Sequence, residues 1–150
     1  MADRDVRQGL LDTIGEAIDE LAQALAAFGV AYELLDERSQ DRLEEELFGP
    51  VQKGYGRAKR TYADFAARYK LDAATFEQPG SSSGSRDVRR FLDMAIESVD
   101  EAEEILIHLQ DSGQTVEYGD ADLRAGLSGV RELIGHVRHS SREFIRTLGR

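Results

Sequence analysis

The feature that most constrains the fold of this chain is a regular spacing of apolar residues at intervals of three and four. Such a rhythm places apolar side chains along one stripe of an α-helix, as in the seam of a coiled coil. It continues through Gly29, although a glycine within a helix costs about 1 kcal/mol relative to alanine. We therefore predict one long first helix over 4–47, and we name Gly29 as the position of any bend. Its seam consists of Leu11, Ile14, Ile18, Leu21, Leu25, Phe28, Tyr32 and Leu35.

The dipeptide Gly49-Pro50 is predicted to end this helix. Glycine suits the left-handed position after a helix, and proline suits the first turn of the next one. A second helix is predicted over 51–70, and Asp72 is predicted to cap a short helical turn after it. The stretch 78-QPGSSSGS-85 has the composition of a flexible linker. The apolar stripe of the second helix is Val51, Tyr55, Ala58, Tyr62, Phe65 and Tyr69.

Two further helices are predicted after the linker, over 86–111 and 121–148, with Asp120 capping the last one. Their seams are Val88, Leu92, Ala95, Val99, Ala102, Leu106 and Leu109, and then Leu123, Leu127, Val130, Ile134, Val137, Ser141, Phe144 and Leu148. Four such helices with short connections predict an all-α protein, an antiparallel four-helix bundle. We expect a single domain over 1–150, built from hairpins 4–76 and 86–150 joined by the linker 78–85.

Charge alternates along the predicted helices. Residues 30–48 contain seven acidic side chains and two arginines, whereas residues 51–70 contain six basic side chains and one aspartate. Complementary flanks can set the pairing and orientation of helices. We therefore expect the basic residues of the second helix to lie opposite the acidic half of the first.

Composition excludes several classes of site and partner. Without cysteine, the chain has neither disulfides nor thiolate metal sites. A net charge of −10 opposes binding to nucleic acid through the overall field. No apolar run approaches the roughly 18 residues of a membrane span, and the opening MADRDVRQ does not resemble a signal peptide. We expect a cytoplasmic protein that binds neither nucleic acid nor a membrane.

Three tyrosines, Tyr55, Tyr62 and Tyr69, stand seven residues apart with basic residues between them. Such a pattern is compatible with a nucleic-acid surface, with a wall on which a ligand stacks, or with the core of a bundle. All three fall on one line of the seam, so we predict that the rings belong to the core. A small-molecule site along this stripe is the alternative.

Histidines and carboxylates occur together on the last two predicted helices. Glu104 and His108, like Glu132 and His136, are four residues apart. Diiron bundles use a Glu-x-x-His spacing with all ligands pointing inward. Here the spacing is one residue longer, and the seams place these side chains outside. We predict no metal and no cofactor, with a metal-dependent, ferritin-like bundle enzyme as the alternative.

The function that these observations favour is non-enzymatic. A second helix over 51–70 covers only half of a first helix over 4–47, which leaves apolar positions in need of cover. We therefore expect protein–protein contact, with a homodimer or another helical protein as the partner.

Overall fold

The computed structural model describes residues 2–77 and 87–148, and the regular structure in this part of the chain is entirely helical. The all-α prediction is confirmed, whereas the predicted linker 78–85 lies outside the described residues. Among those residues, no helix is both long enough and apolar enough to cross a membrane. The elements are α1 (Ala2–Glu33), α2 (Glu37–Leu43), a π-helical turn (Glu44–Phe48), α3 (Gly49–Tyr69), α4 (Val88–Asp111), α5 (Gly113–Glu117), α6 (Ala121–Ile134) and α7 (Val137–Leu148).

The first helix is shorter than predicted, because α1 ends at Glu33 rather than at residue 47. Asp36 has extended backbone, and its carboxylate accepts a hydrogen bond of 2.8 Å from the Ser39 backbone N–H. This contact satisfies one of the free N–H groups at the start of α2. The chain therefore turns at residues 34–36, whereas Gly29 lies within α1 and does not end it.

The prediction that Gly49-Pro50 ends a helix is also wrong. The helix runs without a break from α2 through the π-helical turn into α3. The Gly49 N–H donates to the carbonyl of Glu44, five residues earlier, and a Cβ at Gly49 would lie 2.6 Å from that carbonyl oxygen. Proline removes one backbone donor and crowds the preceding turn. A π-helical turn is a known way to accommodate a local disturbance of α-helical hydrogen bonding, and the absence of a side chain at Gly49 leaves room for it.

These two corrections change how the first hairpin is built. Its helices span 2–33 and 37–69, so they are nearly equal in length and run along each other. α1 is buried along its inward side from Leu10 to Ala31, and its largest interface is with α4. The first helix is therefore covered within one chain, and the reason given above for a homodimer no longer holds.

Two helix pairs form two layers. α1 packs on α4, α3 packs on α6, and the layers meet where α1 contacts α3 and α4 contacts α6 and α7. Contacts join the start of α1 to the end of α3, since Arg4 donates to the carbonyl of Lys70 at 3.3 Å. At the other end, the rings of Phe28 and Phe48 are 6.1 Å apart.

The apolar seams of the second half are found in the core. From Leu92 to Leu109 on α4, and from Leu123 to Phe144 on α6 and α7, every predicted seam residue is buried. Asp120 caps α6 as predicted, because its carboxylate accepts a hydrogen bond of 2.7 Å from the Leu123 N–H. The last helix is not continuous, however, since it divides at residues 135 and 136. The seam continues across this division because Ile134 and Val137 remain three residues apart.

Candidate functional site

Tyr62 lies in the core, with 4% of its surface exposed. Its hydroxyl accepts a hydrogen bond of 2.8 Å from the Ala74 backbone N–H. The rings of Tyr62 and Phe76 pack edge to face, with their centroids 4.8 Å apart. Both the ring and the hydroxyl of Tyr62 are therefore already in contact with the protein.

The residues that cover Tyr62 belong to a non-helical segment, 71–77, which we call the strap. The side-chain amide of Gln8 holds the strap at Asp72, accepting from its N–H and donating to its carbonyl, each at 2.9 Å. The short helical turn predicted after Asp72 is absent from the strap. The physical reason is that the N–H groups of Asp72 and Ala74 bond to side chains of α1 and α3 instead of forming a helical turn.

Tyr55 and Tyr69 flank Tyr62 along α3 and are also engaged. Tyr55 is buried, the Lys59 ammonium lies 4.7 Å from its ring centroid, and burial together with Asp19 raises the pKa of its hydroxyl. Tyr69 is half-buried beneath the Arg7 guanidinium, at 4.2 Å. The three rings are in contact with protein groups, so the stripe does not form an open wall for a ligand.

Asp120 joins the end of α3 to the start of α6. It accepts hydrogen bonds from the Arg68 guanidinium at 2.7 and 3.0 Å and from the Tyr69 hydroxyl at 3.1 Å. Burial alone raises the pKa of Asp120, but the hydrogen bonds from Arg68 and the Leu123 N–H outweigh burial and lower it. The Arg68 side chain is therefore held in place by Asp120.

The candidate metal ligands do not converge. Glu104, His108, Glu132 and His136 are all exposed. Glu104 lines a hollow beside Asp100 and Arg138, whereas Glu132 and His136 line a different one. Over residues 2–77 and 87–148, no three histidine, aspartate or glutamate side chains are grouped as a metal site would require.

A hollow of about 340 Å³ lies on the outer side of the α1–α4 layer, and we call it the acidic groove. It is lined by Glu20, Gln23, Met94, Glu97, Ser98 and Glu101. Burial raises the pKa of Glu20, and the charges of Glu101, Asp19 and Glu97 raise it further. No ion pair in the described part of the chain reaches the three glutamates of the groove. Its carboxylates therefore repel one another, and within the described residues none of them is held in an ion pair.

Met94 gives the acidic groove an apolar contact point. Its side chain is 47% exposed, and among the described residues only Val116 is a second large apolar side chain with such exposure. Sulfur and methylene groups adapt to partners of different shape. The groove therefore combines negative charge with a small apolar surface.

A second hollow, of about 240 Å³, lies between α3 and α6 on the opposite layer, and we call it the basic groove. It is lined by Arg57, Arg60, Thr61, Asp64, Arg68, Asp122, Ala125 and Gly126. The groove runs from Arg68, which pairs with Asp120 at the start of α6, to Arg57, which lies against Gly129 further along α6. Its two aspartates, Asp64 and Asp122, are near the Arg68 end. Arg57 and Arg60 occupy the other end, and no ion pair in the described part of the chain reaches them.

Glycines let the two helices approach at the basic groove. A Cβ at Gly126 would lie 2.6 Å from the Thr61 methyl group, and a Cβ at Gly129 would overlap the Arg57 guanidinium. Arg57 therefore lies directly against the backbone of α6. Its guanidinium lies against Gly129, although the residue as a whole is exposed.

The charge pairing predicted for the first hairpin is wrong. Most of the acidic side chains of 30–48 lie on α2 and the π-helical turn, which are continuous with α3 and do not face it. Arg42 pairs with Glu46 inside this stretch, and Arg68 pairs with Asp120 of α6. Lys53, Arg57 and Arg60 of α3 consequently have no ion pair within the described residues.

Comparison of the chain with protein-family models, with curated proteins and with solved structures gave no match.

Proposed function

We propose that this chain is a non-enzymatic, antiparallel four-helix bundle that acts through protein–protein contact, with a second copy of itself as the first partner. The observation that carries the proposal is the separation of charge between the two layers. α1 and α4 each contain seven acidic and two basic side chains, whereas the continuous helix 37–69 together with α6 and α7 contains twelve basic and nine acidic ones. Complementary potentials of this kind steer association and select partners.

The contact that we propose is polar. Among the described residues, Met94 and Val116 are the large apolar side chains that are exposed, so a partner would meet few apolar anchors there. An interface formed mainly by charged side chains gains little from each pair and depends on ionic strength. We therefore expect weak, salt-sensitive association rather than an obligate dimer.

No observation favours the other functions considered. A metal-dependent enzyme needs inward-pointing ligands, and the glutamates and histidines named above are exposed and separated. A tyrosine-lined ligand site needs an accessible stripe, and Tyr62 is covered by the strap. The cytoplasmic location stays a prediction from composition.

Sedimentation equilibrium tests the proposal. We expect the average mass to rise above 16.7 kDa with protein concentration at an ionic strength of about 0.15 M, and to return to that value at about 1 M. The reason is that the Debye length falls from about 8 Å to about 3 Å over this range. A mass of one chain at every concentration would contradict self-association.

A further inference from the structure

We propose that the acidic groove of one copy receives the basic stripe of a second copy, where the basic stripe consists of Lys53, Arg57 and Arg60 on α3. The inference rests on the proposed function and names the two surfaces that meet. Charge complementarity between them is the argument for choosing a second copy as the occupant.

The basic stripe has the form of one helix face. Its three residues are spaced by four and three positions, so they project from the same side of α3 and cover about 10 Å of its length. All three are exposed, and no ion pair in the described part of the chain reaches them. Packing of Arg57 against Gly129 reduces the freedom that this side chain would lose on binding.

The acidic groove matches such a stripe in charge and in chemistry. Glu97 and Glu101 are one helical turn apart on α4, and Glu20 stands across from them on α1. Lysine and arginine carry long apolar stems below a charged head. A stem lying against Met94 would bring its head to these carboxylates and offset the repulsion among them.

The geometry of the two layers determines the kind of assembly. The acidic groove lies on the α1–α4 layer and the basic stripe on the α3–α6 layer, so the two surfaces face opposite directions. A contact between different patches is heterologous, and each complex keeps one free patch of each kind. Association therefore continues beyond the dimer as concentration rises.

The net charge of −10 opposes this contact at long range. At an ionic strength of about 0.15 M the Debye length is about 8 Å, so repulsion between the distant parts of two copies is largely screened. Charges that meet directly at the groove are only a few ångströms apart and keep part of their attraction. A high salt concentration screens this remaining attraction as well.

Two charge-reversed variants test the pairing by sedimentation velocity. One is Lys53→Glu/Arg57→Glu/Arg60→Glu, and the other is Glu20→Lys/Glu97→Lys/Glu101→Lys. For each variant alone, the association constant is expected to fall by about tenfold or more, because two like-charged surfaces then meet. Mixing the two variants should restore association, since an acidic surface on one again faces a basic surface on the other.

The controls carry the same changes of net charge at exposed positions away from both surfaces. Arg38→Glu/Arg89→Glu/Arg142→Glu matches the first variant, and Glu33→Lys/Glu44→Lys/Glu117→Lys matches the second. Both controls should associate more strongly than their matched variants. Circular dichroism confirms that each protein is folded, and the single variants Arg60→Glu and Glu97→Lys replace any triple variant that is not.

The outcomes separate this inference from the proposed function. Native protein that remains monomeric overturns both. Native protein that associates, with variants equal to their controls and no gain on mixing, overturns the pairing of these two surfaces and leaves self-association standing. Association that stops at a dimer overturns the heterologous geometry.

Discussion

Tyr62→Ala is expected to lower the free energy of unfolding by about 3–5 kcal/mol, as for other buried aromatic residues. The ring is 4% exposed and meets Phe76 edge to face, so its removal leaves a cavity between α1, α3 and the strap. Tyr62→Phe keeps the ring but removes the acceptor of the Ala74 N–H, and should cost about 1–2 kcal/mol. Urea unfolding monitored by circular dichroism measures both changes.

The matched comparison for this prediction is an exposed residue two positions away on the same helix. Arg60→Glu should change stability by less than about 1 kcal/mol, because no ion pair in the described residues is broken. If Tyr62→Ala had a midpoint close to that of the native protein, the placement of the tyrosine stripe in the core would be wrong.

Gly126→Leu is expected to destabilise the fold by about 3 kcal/mol, at the upper end of the usual range for overpacking. Gly126 is the point at which α6 approaches α3, and even a Cβ there would come within 2.6 Å of the Thr61 methyl group. Leucine favours helix more than glycine does, so the loss would come from packing rather than from helix propensity.

Gly9→Leu is the control for this substitution. Gly9 is also helical, but a Cβ at this position has nothing within 4 Å. The variant should therefore be about as stable as the native protein or slightly more stable, by up to about 1 kcal/mol. Thermal unfolding of the two leucine variants tests the difference, and equal effects would contradict the close approach of α3 and α6.

Apolar spacing predicted the parts of the fold that depend on burial. The seam of α4 and the seam shared by α6 and α7 are buried as expected, and Asp120 caps α6. Spacing alone did not locate the breaks, because a seam continues through a turn when the residues on either side keep the same interval. This is the case at 135 and 136, whereas at 34–36 the interval changes after Leu35 to Ser39, Leu43 and Leu47, a shift that also fits a change of supercoil twist.

The sequence contains local signals at two of the positions where the predicted helix ends differ from the observed ones. Asp36 followed by Ser39 is compatible with a helix start, whereas the rhythm from Leu11 to Leu35 predicts a helix that continues through this position. Gly49-Pro50 has the composition of a helix end, and the wider hydrogen bonding that accommodates it depends on neighbouring packing. A single sequence does not reveal that packing.

The two grooves depend on which helices are neighbours. The acidic character of α4 and the basic character of α3 are evident from the sequence, but a first helix over 4–47 would place the acidic stretch 30–48 opposite α3. Moving the hairpin turn to 34–36 places most of that stretch on the same helix as α3. Met94 lies off the seam, and its position between Glu20 and Glu97 follows from the packing of α1 on α4.

The methyl resonance of Met94 provides the most direct test of the claim that this protein acts through contact between copies. The chain has two methionines, so a spectrum of protein labelled with ¹³C at the methionine methyl groups contains a Met94 signal and a Met1 signal for comparison. We predict that the Met94 signal shifts and broadens as protein concentration rises, and that salt reverses the change. A Met94 signal that is the same at low and high concentration, in protein whose average mass does increase, would show that the copies meet elsewhere. An unchanged signal without any increase in mass would contradict the account as a whole.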